Sequence, residues 1–357
     1  MKPYDELTHT GRMRRMGMLA RKVACEYGLH GARVSLLRHA GNTLFRVVES
    51  DPDTSSNDRD LFRPGHYLLR IHQAGYQASD TIRLELEWLR AMRRDADLPV
   101  PEPVEDVDGR LLKSVEIPEI PGPRQCSLLR WVKGRLITKN IQPRHFRSQG
   151  ALMARMHDFA SGWQTPDGLT KRKYDWNGLF HDDSGAGIPA SEVWSTLPES
   201  YYRPFDAIAR RVRKVMDKLG QGPDVYGLIH ADFGVDANVL FHRGEARGID
   251  FDDSGFGYYI YDLAISLEHV KDHPNYMQYQ DALIQGYREN RELHDDQLAH
   301  FELFMMGFHV YWCLWAFALL KQRPNSSEWL QKRLDRSVRL IKQFTGKFQY
   351  PCRRPAP

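Results

Sequence analysis

Between Leu228 and Gly255 the chain reads LIHADFGVDANVLFHRGEARGIDFDDSG, which sets Asp232, Asp236, Asp250, Asp252 and Asp253 around two short apolar runs. Carboxylates this close repel one another, and burying one without a partner is costly. Any fold for this chain must therefore bring positive charge to that stretch, from its own side chains or from outside. NVLF and ARGIDFD flank HRGE and predict a β-hairpin. Folding about that turn sets Asn238 opposite Ile249 and Asp250. An amide oxygen beside carboxylates suits a hard cation such as Mg²⁺. Asp232, on the loop entering the hairpin, is then left to accept a proton from a hydroxyl or to orient that hydroxyl. Taken singly these residues say little: His230 fits a structural hydrogen-bonder, and Asp252 and Asp253 fit turn residues. Their order and spacing carry the signal.

The elements around the cluster follow from periodicity. From Thr10, Met13, Met16, Ala20, Val23, Ala24 and Tyr27 predict an amphipathic helix that Gly28 ends. ARVSLLRH and TLFRVVES predict strands joined at AGN, with Gly41 in the turn. SDPDTSSNDRDLFRPG reads as a polar loop before a third strand, HYLLRIH. Ser79 is expected to cap a helix over DTIRLELEWLRAMRRD, and CSLLRWV to form a further strand. Beyond KGRL the pattern turns helical, first over Pro143 to Phe159 and again after Tyr261. The chain thus divides into a small α+β lobe, a connector near Ser127 to Gly134, and a larger, mainly helical lobe. On the helix after Ser79, Ile82, Leu86, Leu89 and Met92 form the buried stripe, and Glu85 falls on it. Either Glu85 pairs with a buried cation, for which Arg70 is the candidate, or it lies at the stripe's edge and reaches water.

With 357 residues, 41% of them hydrophobic and 27% charged, the chain has ordinary globular composition and is long enough for two substantial cores. A net charge of +4 is too small to argue for nucleic acid. Cys25, Cys126, Cys313 and Cys352 are scattered, which argues against a zinc ribbon or disulfide scaffold and predicts a reducing, cytoplasmic setting. The first residues show no apolar signal core, so no targeting segment is expected. LFMMGFHVYWCLWAFALL approaches spanning length, but His309 interrupts it and Glu302 and Lys321 stand at its ends; a buried helix, with no membrane partner, is expected.

The combination resembles the aminoglycoside phosphotransferase and choline kinase superfamily over roughly Ser35 to Ala264, and within it most resembles the branch of type II homoserine kinases and stress-response kinases. LIHADFGVDANVL is similar to that family's His-Gly-Asp…Asn loop, and GIDFDDSGFGYYIYDLA to its Ile-Asp-Phe-Asp…Asp-Leu-Ala segment. HAGNTLFRV resembles the nucleotide-covering hairpin, YLLRIH the strand whose basic residue holds ATP phosphates, and LELEWLRAM the helix with its partner glutamate. SLLRWVKGRL resembles the hinge that meets adenine. The resemblance implies an α+β, bilobal, protein-kinase-like fold: residues 1–126 as the nucleotide-covering lobe, 127–134 as hinge, and 135–357 as the lobe with the catalytic loop and acceptor site. It implies an ATP- and Mg²⁺-dependent enzyme that moves the γ-phosphate to a hydroxyl of a small molecule. Asp232 becomes the catalytic aspartate, Asn238 and Asp250 the magnesium ligands, and Asp252 an auxiliary ligand. Arg70, oriented by Glu85, would hold the α/β-phosphates, with Gly41 and Asn42 over the nucleotide and Leu129 and Trp131 at the hinge. His230 and Asp262 would brace the loop. A guanidinium at 70 in place of the family's usual lysine still suits phosphate.

Two positions depart from the family pattern. Ala231 replaces a usual glycine. Asn238 follows Asp232 by six residues where the family usually spaces them by five, so either the loop bulges or Asp236 supplies the oxygen instead. For the acceptor, Glu302, His309, Tyr311, Trp312 and Trp315 are candidates, against a purely core role for rings at helical spacing. Two rival functions share the pattern: a Ser/Thr protein kinase, and a nucleotide-binding pseudokinase scaffold suggested by the six-residue spacing.

Overall fold

The computed structural model describes residues 2–51, 57, 59–182, 187–322 and 328–346; Cys352 and most of the polar loop after Asp51 lie outside them. The first half is built on a twisted antiparallel sheet. Helix α1 (His9–Glu26) precedes strands β1 (Arg33–Ala40), β2 (Asn42–Val48) and β3 (Phe62–Ile71), helix α2 (Ser79–Ala96), and strands β4 (Pro103–Val104), β5 (Lys113–Val115) and β6 (Arg124–Val132). The sheet order is β1-β2-β3-β6-β4, with β5 also on β6. The α1 stripe of Met16, Leu19, Ala20, Val23 and Ala24 packs on Phe45, Val47, Leu69, Ile71, Cys126 and Leu128 in a core of its own. Gly28 ends the helix with φ of +74°, a value that costs glycine nothing.

Two sequence expectations shift, and the sheet gains two short strands. The third strand begins at Phe62, because a register shift between Phe62 and Tyr67 lets the chain pair early with β6. Ala78, extended at φ −70° and ψ 152°, takes the cap position of α2, so Ser79 is already helical and makes no capping bond. Residues 98–115, for which the periodicity predicts no element, contribute the short strands β4 and β5, whose pairing with β6 supplies what their length lacks.

The second half opens with β7 (Arg135–Leu136) and α3 (Pro143–Gly162), followed by β8 (Lys173–Tyr174), α4 (Trp176–Phe180), α5 (Ala190–Thr196) and α6 (Glu199–Leu219). Next come β9 (Tyr226–Ile229), β10 (Val239–His242), β11 (Glu245–Gly248) and β12 (Gly255–Tyr258). The chain closes with α7 (Tyr259–Ile265), α8 (Tyr276–Arg288), α9 (Asp295–Leu298), α10 (Phe301–Gln322) and α11 (Glu328–Gly346). The expected hairpin forms: Val239 pairs with Gly248 and His242 with Glu245. Its two-residue turn, Arg243–Gly244, has positive φ at both positions, which matches the strand twist. β9 and β12 pair antiparallel beside it, so the segment 230–238 and the segment 249–254 leave adjacent strands together.

Helix α10 is, among the described residues, the one helix long and apolar enough to cross a membrane, and 67% of that stretch is buried inside the protein. Its core role explains an apolar surface that runs all round. Helices α3 and α8 meet backbone to backbone: a Cβ on Gly150 would lie 2.0 Å from the Leu283 carbonyl oxygen, and one on Gly286 1.9 Å from that of Arg147. On an open helix Gly→Ala stabilises by about 0.5–1 kcal/mol. Here the sign reverses: Gly286→Ala should destabilise by about 1–3 kcal/mol, seen as a lower urea midpoint at unchanged slope. A raised midpoint would contradict the close approach.

Candidate active site

The loop after β9 is held by its backbone. Asp262, fully buried on α7, accepts from the N–H groups of His230 (3.1 Å) and Ala231 (2.8 Å). It also pairs with His157 Nε2 at 3.0 Å. His230 donates from Nε2 to the Ile249 carbonyl (2.9 Å), leaving Nδ1 to accept from the Asp232 N–H (3.3 Å). Burial holds the His230 ring neutral, and Phe233 and Phe251 pack on it at 4.7 and 4.5 Å. One histidine thus ties the segment carrying Asp232 to the segment carrying Asp250. Ala231 sits at φ +65° and Asp250 at φ +63°. For residues with a Cβ the left-handed region costs about 1–2 kcal/mol, so glycine's usual place at 231 has a conformational reason.

Asn238 Nδ2 donates to both the Asp232 carbonyl and its Oδ2, each at 2.8 Å. That commits the amide nitrogen and leaves Asn238 Oδ1 for another partner. The extra residue before Asn238 is taken up in a tight turn: the N–H groups of Ala237 and Asn238 both bond to the Gly234 carbonyl, at 3.1 and 3.0 Å. The Ile249 N–H then meets the Asn238 carbonyl at 3.0 Å and fixes the two segments side by side. Asp236, the alternative oxygen, faces His269 instead, 3.7 Å from its Nδ1.

A cleft of about 480 Å³ gathers Gly41, Asn42, Asp232, Asn238, Asp250 and Asp252, together with Asp253, His269 and Arg333. Gly41, at φ +76°, makes the tip of the β1–β2 hairpin. Asn42 next to it donates from Nδ2 to Asp252 Oδ2 (2.9 Å) and accepts from the Gln73 N–H (3.0 Å), so the tip rests on the acidic floor. Behind the floor, Arg70 Nη1 donates to Glu85 Oε1 at 2.7 Å with both side chains buried, and Arg70 Nη2 lies 3.8 Å from Asp250 Oδ1. Glu85 therefore pairs with a buried cation. Leu129 is buried in the main core between Leu68 and Pro103, and Trp131 lies under the Arg46 guanidinium at 5.0 Å. Both stand outside the cleft's lining.

Sequence reasoning missed Lys171. Its side chain, 1% exposed, reaches Glu85 Oε2 (3.9 Å) and the Asp252 carbonyl (3.3 Å) from the segment before β8. Burial pulls its pKa down, against the pull of Glu85 and Asp252. A lysine within TKRKYDW carries no periodic signal that marks it as internal. A second cavity, of about 280 Å³, opens from the same floor: Asp232 and Asp253 meet Tyr76, Tyr174, Tyr261, Phe308, Tyr311, Trp312, Trp315, Trp329, Arg172 and Arg333 there. Of the acceptor candidates, Tyr311, Trp312 and Trp315 line it. Glu302 instead bonds Lys271 at 2.5 Å, and His309 bonds Ser337 Oγ at 3.0 Å in the core.

Partial desolvation in the cleft and the Asp250 charge push the Asp232 carboxyl up to about 7, a rise tempered by the solvent that this exposed side chain still meets. Burial and the neighbouring Asp252 also raise Asp250 and Asp253, although the Asp250 carboxylate keeps 36% of its surface in solvent, which tempers the effect. Such shifts mark a floor short of positive charge. Among the described residues no three His, Cys, Asp or Glu side chains close around a metal by themselves. Two carboxylates and an amide oxygen, with room for phosphate and water oxygens, are instead what Mg²⁺ takes, so the residues present fit that ion.

The profile of the phosphotransferase enzyme family, APH, matches residues 47–299. The solved structure of a microcompartment-associated aminopropanol kinase superposes with a TM-score of 0.73 at 25% identity, covering 92% of this chain and 98% of the other. The structure of amicoumacin kinase hAmiN in complex with AMP-PNP, Ca²⁺ and Ami gives 0.71 at 23% identity, covering 95% and 97%. The amicoumacin kinase of Bacillus subtilis (strain 168) is 21% identical over 287 residues, 76% of either chain. The fold is the α+β, protein-kinase-like one.

A carboxyl whose pKa is raised on folding binds its proton more tightly folded than unfolded. Its contribution to stability is complete below the unfolded pKa of about 4 and is lost as pH rises toward the folded value. For metal-free protein, Asp232→Asn should therefore be more stable than wild type at pH 8 and lose that advantage by about pH 4. Urea denaturation of both proteins across that range checks this; an advantage independent of pH would show that the Asp232 carboxyl is not raised.

Proposed function

We propose that this chain, which belongs to the phosphotransferase enzyme family, transfers the γ-phosphate of ATP to a hydroxyl of a small molecule, with Asp232 as the catalytic group. The observation that carries this reading is the Asn238–Asp232 bond, placed beside Asp250 and Asp252 over the buried Arg70–Glu85 pair. Asn238, Asp250 and Asp252 would hold magnesium, which when bound neutralises phosphate charge. Arg70, held by Glu85, turns its Nη2 edge toward the floor and would meet the α/β-phosphates. The Gly41–Asn42 tip would cover the nucleotide, with adenine toward Leu129 and Trp131 in the 127–134 hinge between lobes 1–126 and 135–357.

The chemistry is an in-line displacement. The acceptor oxygen forms a bond to the γ-phosphorus, the bond from that phosphorus to the bridging oxygen breaks, and ADP leaves with the electron pair. The hydroxyl proton passes to an Asp232 carboxylate oxygen, which magnesium on the neighbouring Asp250 and Asp252 would help keep ionised and ready to accept it. The hydrogen bond from Asn238 keeps that carboxylate aimed into the shared floor of the two cavities.

The acceptor belongs in the ring-lined cavity. Its volume of about 280 Å³ falls at the lower edge of ordinary ligand pockets and suits a small alcohol, not an extended peptide. Solved relatives named for aminopropanol and amicoumacin point the first screen toward amino alcohols. ADP release measured across amino alcohols, sugars and antibiotics should reveal an acceptor. With it, Asp232→Asn should cut turnover by about 10²–10⁴-fold while MgATP binding stays within a few fold. Unchanged turnover would remove Asp232 from the reaction.

A further inference from the structure

The acidic cleft and the ring-lined cavity share Tyr76, Asp232, Asp253 and Arg333. Among the described residues Arg333 is the one cation common to both walls. It extends from α11, near the end of the chain, with its guanidinium over the rings of Trp312 (4.7 Å) and Trp329 (5.7 Å). A phosphoryl group leaving ATP in one cavity for an alcohol in the other has to pass the shared floor, and so passes Arg333. Arg70 is ill placed for that point, since its guanidinium is buried behind Asp250 and already bonded to Glu85.

Glu268 would not be stranded if Arg333 turned toward the floor. Its Nη2 lies 3.5 Å from Glu268 Oε2, but that oxygen accepts no hydrogen bond, so the contact is one of charge alone. When Arg333 turns away, buried Glu268 keeps Arg336, which donates to both its carboxylate and its backbone carbonyl. The side chain retains 23% of its surface in solvent and lines both cavities. Its charge is already felt at the floor, where it opposes the rise in the Asp232 pKa.

We propose that Arg333 is a second catalytic residue, donating N–H bonds to the oxygens of the phosphoryl group while it is between ADP and the acceptor. This rests on the phosphotransferase reading of the cleft. The guanidinium makes and breaks no covalent bond and keeps its protons. What it adds is positive charge where negative charge spreads over three equatorial oxygens, as arginines do in other phosphoryl transfers. It acts on the moving group and not on bound ATP, so its loss should spare nucleotide affinity.

MgADP with and without aluminium fluoride, a mimic of the transferring phosphoryl group, separates these effects by calorimetry. Wild type should bind MgADP more tightly when aluminium fluoride is present. Arg333→Met should lose about tenfold or more of that tightening while its affinity for MgADP alone stays within about threefold. Arg333→Lys, which keeps the charge, should recover part of the loss and guards against a folding defect. In wild type, aluminium fluoride should also change Trp312 and Trp329 fluorescence as the guanidinium leaves their rings, a change absent in Arg333→Met. Equal tightening in wild type and Arg333→Met would overturn the proposal while leaving the kinase reading intact. Failure of wild type to bind MgADP at all would overturn both.

Discussion

The crowding of Asp232, Asp250, Asp252 and Asp253 on one floor is the constraint to which the rest of this molecule answers. Nothing in the energetics of folding favours it, because partial desolvation and mutual repulsion raise three of the four carboxyls. The chain tolerates the cluster by fixing its backbone independently of it. Asp262 takes the amides of His230 and Ala231, and the His230 ring bridges to Ile249. Those bonds hold the two segments together before any side chain on the floor is considered, and hold Ala231 and Asp250 in left-handed backbone. Strain of this kind persists where surrounding structure over-determines it.

Charge compensation comes from two directions. Arg70 arrives from the first sheet, Lys171 from the larger half, and Glu85 on α2 lies between them. Glu85 is thus held from both halves of the protein. Removing one partner of a buried pair typically costs about 3–5 kcal/mol, since the remaining charge is stranded. Trp88, also on α2, meets the Phe251 ring edge-on at 5.7 Å and adds an apolar tie to the same loop. The position of α2 and the geometry of the floor are consequently one problem, solved by the same few contacts.

How much of this could be seen in the residues alone depends on how each signal is written. The α1 stripe, the 239–248 hairpin and the β1–β2 turn were legible because periodicity and glycine placement are local. Glu85 was legible as an acid on an apolar stripe, but its fate was not; only the fold could bring Arg70 and Lys171 to it. The strands β4 and β5 escaped notice because pairing with β6 makes them strands, not their own two or three residues. Lys171 and Arg333 were missed for a related reason. Both sit in ordinary polar surroundings in the sequence, far from 232 and 250, and only packing delivers them to the floor. In α10, rings at helical spacing could be core or pocket; Tyr311, Trp312 and Trp315 turn out to line the cavity, while His309 is core.

The contact between α3 and α8 has a mechanical consequence. Helices separated by side chains can slide past one another by small rotamer adjustments, and many proteins move by such shear. Here Gly150 and Gly286 press bare backbone against the opposite helix at two points, each facing a carbonyl oxygen. Two such teeth lock the pair against translation, so α3 and α8 travel as one piece. Any rearrangement that admits a ligand then has to leave this pair intact and be taken up elsewhere in the chain.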